Sequence, residues 1–208
     1  MRLPALVVAL VAVSAFADDP GMTLTMAMMR SPALSADGKH IAIYSDAPGD
    51  EKDSKTSLAV FGSNGKLEKR IGVVPPVVDM ERASVDAAKV MKVLNDGSYA
   101  RMGRMASKGG VADKSGGYSI DLSSGDVAFT LKIANRKVSI GGTRGEKKLK
   151  PLELALPAKD GACSGETTFS VANTMAGYDQ KSQLFAFEVL VFAGDSGCFA
   201  HPFVVALK

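Results

Sequence analysis

The chain has 208 residues, of which 46% are hydrophobic and 23% charged, and its formal net charge is +3. This composition is that of a folded domain with a real core, and it excludes intrinsic disorder and collagen-like repeats. Aromatic residues make up only 6%, Trp is absent and there are two His. Surfaces that stack sugars or bases, and His-rich metal centres, are therefore disfavoured.

The N-terminus has the pattern of a secretory signal peptide. Arg2 supplies a positive charge, residues 3–13 form an apolar run, and Ala15 and Ala17 give the small-residue pattern that signal peptidase accepts. The apolar run is shorter than the roughly 20 residues that span a bilayer, which disfavours an uncleaved anchor. We predict a signal peptide over residues 1–17, a single mature domain over 18–208, no later transmembrane segment, and a secreted or periplasmic location.

Most of the mature chain is predicted to be β-strand. Short apolar segments rich in β-branched residues alternate with turn signals such as Asp37-Gly38 and Asn135-Arg136. Residues 98–105 are expected to form a short strand, and the Gly-rich residues 106–117 a loop. The longer predicted strands are, in chain order, residues 39–44, 56–61, 66–73, 118–122, 127–134, 137–140, 149–156, 167–172, 183–192 and 199–207. Pro151 indicates that its strand lies at a sheet edge.

One helix is predicted near residues 80–95. Asp79 is a suitable N-cap, apolar residues recur at steps of three and four, and Gly97 stands where a C-terminal cap belongs. We expect this helix to cover one face or edge of a sheet. The fold class is therefore mainly β: an antiparallel sandwich or open barrel of about ten strands with one α-helix.

Cys163 and Cys198 are the only cysteines. Because an exported chain meets an oxidising environment, we predict a disulfide between them. A bridge closing a loop of about 35 residues would contribute roughly 3–4 kcal/mol in the chain-entropy model. The alternative is two free thiols with a redox or metal role.

The segment SPALSADGKHIAI, residues 31–43, resembles the repeat of TolB-type β-propellers, whose motif runs roughly S-P-x-h-S-P-D-G-K-x-I-A-h. Ala36 replaces the second Pro, and a looser copy occupies residues 179–187. A propeller repeats every 40–45 residues or so, and the middle of this chain has no such repeat. The wider layout is similar to a family of predicted secreted bacterial proteins of unknown function. That resemblance implies no activity.

The sequence Gly194-Asp-Ser-Gly197 matches the core of the G-D-S-G-G signature of trypsin-like serine proteases. His40 and several Asp precede Ser196, in the His, Asp, Ser order of those enzymes. The family pattern continues with Gly, where this chain has Cys198, and the surroundings of His40 differ from the family's A-A-H-C. A hairpin loop is the alternative interpretation.

Two charged segments suggest binding to ions or polymers. Asp46, Asp50 and Asp53 share a predicted loop whose oxygen ligands could suit calcium, although their spacing is not that of an EF-hand. The basic segment, residues 132–150, could dock an anionic polymer, or its charges could be the polar face of a hairpin. It has one acid and seven basic residues: Lys132, Arg136, Lys137, Arg144, Lys147, Lys148 and Lys150.

The sequence therefore predicts an exported, non-enzymatic binding or accessory protein of the cell envelope or periplasm. Its expected partner is an envelope protein or an anionic polymer, with no cofactor and no nucleic acid. A secreted hydrolase using Ser196, and a calcium- or anionic-polymer-binding module, are the alternatives.

Overall fold

The computed structural model describes residues 30–47, 55–74, 88–90, 92–94, 98–114, 116–156, 167–172, 175–193 and 196–207. The predicted signal peptide lies outside these ranges. The described part is mainly β, all of its strand pairs are antiparallel, and a sandwich fits the arrangement of its sheets. Its sixteen strands are β1 (Ala33–Ser35), β2 (His40–Ala47), β3 (Lys55–Gly62), β4 (Leu67–Val74), β5 (Tyr99–Arg101), β6 (Gly103–Arg104), β7 (Ala106–Ala112), β8 (Tyr118–Ser124), β9 (Val127–Ala134), β10 (Lys137–Arg144), β11 (Lys147–Lys148), β12 (Leu152–Ala155), β13 (Thr167–Val171), β14 (Gly177–Asp179), β15 (Leu184–Ala193) and β16 (Ser196–Ala206).

The strands form three sheets. Sheet A has the order β4-β3-β2-β1-β5. In sheet B, β16 pairs with one edge of β15, β13 and β14 share the other edge, and β6 pairs with β14. In sheet C, the order β7-β8-β9-β10 is followed by β11 and β12, which both pair with β10. The predicted edge position of Pro151 is confirmed, since β12 begins directly after it.

Sheet B is the middle layer of the described structure. Along β15, Phe185 and Phe187 belong to the core shared with sheet C. Leu184 and Ala186, on the other face of the strand, belong to the core shared with sheet A. Alternate residues of a strand point to opposite faces, so β15 is buried on both sides. Packed sheets lie about 10 Å apart, which leaves roughly 20 Å between sheets A and C.

The helix covers the outer face of sheet A, as expected. Residues 88–90 and 92–94 are helical, within the predicted helix, whose residues 80–87 lie outside the description. Val90 and Leu94 are buried in one cluster with Tyr44 and Leu58 of sheet A. The layers therefore follow the order helix, sheet A, sheet B, sheet C.

Two expectations for residues 98–117 were wrong. Residues 106–112 form strand β7 instead of a loop, and residues 98–105 divide between β5 in sheet A and β6 in sheet B. One glycine of β7 serves packing, since a Cβ on Gly110 would overlap the ring of Tyr118 on the neighbouring strand. Glycine in a strand often marks such a close approach. As a result, residues 99–112 contribute one strand to each of the three sheets.

The predicted two-residue turn between β9 and β10 is confirmed. Asn135 and Arg136 have φ values of 50° and 58°. Positive φ at both central residues is the signature of the type I′ turn, whose twist matches that of the flanking strands.

Candidate functional site

Ser196 lies far from both histidines. It begins β16, and Val204 lies eight residues further along the strand, which corresponds to about 26 Å of extended chain. The Val204 carbonyl contacts Gly65 in the β3–β4 turn, and His40 pairs with the last residue of β3 beside this turn. His201 is five residues from Ser196, about 16 Å along the same strand. The structure therefore assembles no nucleophile–base pair from these residues. It also places Ser196 in a strand instead of the expected hairpin loop.

His40 belongs to a hydrogen-bonded hairpin. Ser35 Oγ donates to Asp37 Oδ1 at 2.5 Å and accepts from the His40 amide at 2.9 Å. The bond from Ser35, followed by one from the Lys39 amide at 3.0 Å, holds the pKa of Asp37 below its usual value. His40 Nε2 lies 3.4 Å from Glu68 Oε2. The polar residues of the propeller-like motif thus stabilise the β1–β2 hairpin.

Of the three acidic residues proposed for calcium, the structure describes the backbone of Asp46 alone. Asp46 lies in β2, opposite Thr56, because the hairpin ladder extends further than its sequence pattern indicated. Asp50 and Asp53 lie outside the described residues. Among the described residues, no group of three or more His, Cys, Asp or Glu could hold a metal ion.

The disulfide stays a prediction, because Cys163 lies outside the described residues. Cys198 is the extra residue at a register shift between β15 and β16, which marks a β-bulge. β13 begins at Thr167, and its start and that of β16 flank the same end of β15, roughly 10 Å apart.

The basic segment does not gather on one face. Lys132 and Lys137 are exposed on the outer face of sheet C. Arg144 points the other way and donates from Nη2 to the hydroxyl of Tyr178 at 2.6 Å. The lysines of β11 pair with the end of β10 furthest from Lys137, about 24 Å along the strand. The segment therefore forms two separate groups of lysines.

A cavity among the described residues is a groove along β16, the edge strand of sheet B. Phe61, Leu67 and Arg70 of sheet A form one wall, and Leu152 and Leu154 of sheet C form the other. Residues 201–206 of β16 form the floor. The volume is about 570 Å³, within the usual range for small-molecule sites. This β16 groove therefore lies between sheets A and C, beside the edge of the middle layer that sheet B forms.

The lining of the groove is mostly apolar and partly open to solvent. Leu67 is 47% exposed. Leu152, Leu154 and Phe203 are partly buried against the core shared by sheets B and C. The groove therefore offers apolar side chains to a ligand, beside the polar backbone of β16.

Two features protect the edge of β16 against pairing with another strand. Pro202 has no N–H, so it suits a position whose backbone groups point away from β15. Val204 has the same orientation two residues later, and its carbonyl meets Gly65 instead of solvent. An added strand would find a missing donor at Pro202 and a covered acceptor at Val204. The groove is therefore suited to side-chain contacts with a ligand more than to strand addition.

Arg70 gives one wall of the groove a fixed positive charge. Its Nη1 donates to the buried hydroxyl of Ser57 at 2.8 Å. Burial lowers the pKa of Arg70, and the negative charge of Glu188 acts in the opposite direction. Glu188 itself is only 3% exposed, on the face of β15 that meets sheet A. An arginine side chain remains protonated at any physiological pH.

Of the residues that line the groove, the sequence suggested a possible chemical role for His201 alone, and it did not indicate the groove. The available signal was Pro202, which stands within an apolar strand and marks an edge, as Pro151 does. The walls could not be foreseen, because they come from strands far apart in the chain.

No protein-family model, no curated protein and no solved structure matches the chain. The described helical residues include no segment long and apolar enough to cross a membrane. The class that the structure defines is therefore a layered antiparallel β-protein with a groove at the edge of its central sheet.

Proposed function

We propose that the protein is an exported, non-enzymatic binding protein of the cell envelope or periplasm. Its β16 groove takes the apolar part of a small amphipathic molecule. The observation that carries the proposal is the groove itself, with about 570 Å³ of space between apolar walls. Export rests on the signal-peptide pattern of residues 1–17.

A small molecule fits the groove better than an extended peptide does. Peptides that bind to sheet edges gain affinity from backbone hydrogen bonds to the edge strand. Pro202 and the contact of Gly65 with Val204 remove two of these bonds on β16. An alkyl chain needs no hydrogen bonds, and it gains about 25 cal/mol for each Å² of apolar surface that leaves water.

Binding of the neutral dye N-phenyl-1-naphthylamine tests this proposal, because its fluorescence rises in apolar sites. We expect saturable binding by the mature protein, weakened about fivefold by Leu67→Glu. That factor corresponds to about 1 kcal/mol for a half-exposed leucine.

Val111→Glu is the matched control. Val111 is 69% exposed on β7 and does not line the groove, so the same substitution there should leave dye binding unchanged. Equal effects of the two substitutions, or no saturable binding by the unmodified protein, would contradict the proposal.

A further inference from the structure

We infer that the ligand of the β16 groove is an alkyl carboxylate, such as a fatty acid, and that Arg70 binds its head group. This inference rests on the proposed function, and it adds the chemistry of the ligand and the residue that selects it.

The charges that line the groove favour an anion. Among the residues that the structure describes, the ionisable side chains lining it are Arg70 and His201, and both carry positive charge when they ionise. A ligand with an apolar chain and a negative end therefore matches both the walls and the charge of this site. A neutral or cationic ligand would leave the guanidinium without a counter-charge from the ligand.

Arg70 is held in a suitable orientation. It lies opposite Ala59 on β3, and Ala59 belongs to the core between sheets A and B, so Arg70 extends from the inner face of sheet A. Ser57 takes one of the five N–H groups of the guanidinium. The others can form the two parallel bonds that carboxylates accept from arginine.

Glu188 does not remove this preference. It is 3% exposed and is not among the described residues that line the groove. Its negative charge helps to keep Arg70 charged despite partial burial. The hydrogen bond to Ser57 helps to hold Arg70 at the wall of the groove.

The test compares dodecanoate with dodecanol by isothermal titration calorimetry on the mature protein. The two ligands have the same chain length and differ in head-group charge. We expect Arg70→Gln to weaken dodecanoate binding about tenfold, as for loss of one charge-assisted interaction, and to leave dodecanol binding unchanged. Dodecanol binding by the variant also shows that its groove is folded.

Lys69→Gln is the matched control, because it removes the same charge from the neighbouring residue. Lys69 pairs with Val60, which faces the helix side of sheet A, so its side chain lies away from the groove. We expect both ligands to bind this variant as they bind the unmodified protein. Raising the salt concentration should weaken dodecanoate binding to the unmodified protein, and dodecanol binding should not change.

The outcomes separate this inference from the proposed function. If dodecanol and dodecanoate bind the unmodified protein equally, or if Arg70→Gln and Lys69→Gln have the same effect on dodecanoate, the inference is wrong and the groove remains an apolar site. If neither ligand binds the unmodified protein, the proposed function is wrong as well.

Discussion

Replacement of Gly65 by Ala tests the contact that closes the edge of β16. Gly65 has a φ of +78°, and a Cβ there would overlap the carbonyl oxygen of Val204. The backbone of another strand offers no flexible side chain that could move aside. Gly65→Ala should therefore suffer two independent penalties, one from backbone conformation and one from steric overlap.

Gly38→Ala isolates the first of these penalties. Gly38 lies in the β1–β2 turn with a φ of +70°, and a Cβ there would meet nothing within 4 Å. The left-handed conformation costs a residue with a side chain roughly 1–2 kcal/mol, and overpacking against fixed structure adds roughly 1–3 kcal/mol. We expect a loss in the free energy of unfolding of about 1–2 kcal/mol for Gly38→Ala and about 2–5 kcal/mol for Gly65→Ala.

Urea unfolding followed by circular dichroism measures both losses. With a slope of about 2 kcal/mol per M, the midpoint of Gly65→Ala should lie roughly 0.5–1.5 M below that of Gly38→Ala. Equal midpoints would refute the contact between the β3–β4 turn and β16. The Val204 carbonyl would then be free to accept a hydrogen bond from an added strand.

Three further predictions concern the disulfide, the strand edge and the hairpin. Iodoacetamide should modify Cys163 and Cys198 only after reduction, and reduction should lower the free energy of unfolding by about 3 kcal/mol; modification without reduction would show free thiols. Pro202→Thr restores an N–H on the outer edge of β16, so sedimentation velocity should show that this variant self-associates as its concentration rises. If the variant self-associates no more than the unmodified protein does, Pro202 does not protect the edge. The pKa of Asp37 is lower in the folded state than in the unfolded state. The ionised Asp37 carboxylate therefore stabilises the fold above the unfolded pKa near 4, and this contribution is lost as the pH falls through the folded-state pKa. The free energy of unfolding, measured by chemical unfolding, should therefore differ more between the unmodified protein and Asp37→Ala at pH 7 than at pH 2. The same difference at the two pH values would contradict a stabilising role for the ionised carboxylate.

The hairpins could be predicted from sequence because their signals are local. Asn135-Arg136 and Asp37-Gly38 are adjacent residues whose conformational preferences determine the turn, and Pro151 marks an edge by its missing N–H. The sequence predicted a loop where the Gly-rich strand β7 lies, because glycine is usually a sign of a loop. The reason for Gly110 is the ring of Tyr118, which lies over it in the folded structure.

The layer order and the groove depend on contacts between distant segments. The apolar residues 184–187 do not alternate with polar ones, which is usual for a strand buried on both faces. Nothing local indicates which sheets cover those faces. Leu67 and Leu154 become walls of one groove only because sheets A and C lie on opposite sides of sheet B.

Residues 99–112 contribute one strand to each sheet, and this has a consequence for unfolding. β5, β6 and β7 follow one another almost without connecting loops, so none of the three sheets can detach without pulling on a strand of its neighbour. The separate cores should therefore melt in one cooperative transition, with calorimetric and van't Hoff enthalpies that agree. Amide hydrogens of β2, β9 and β15, one strand from each sheet, should then exchange with similar free energies of opening, close to that of global unfolding.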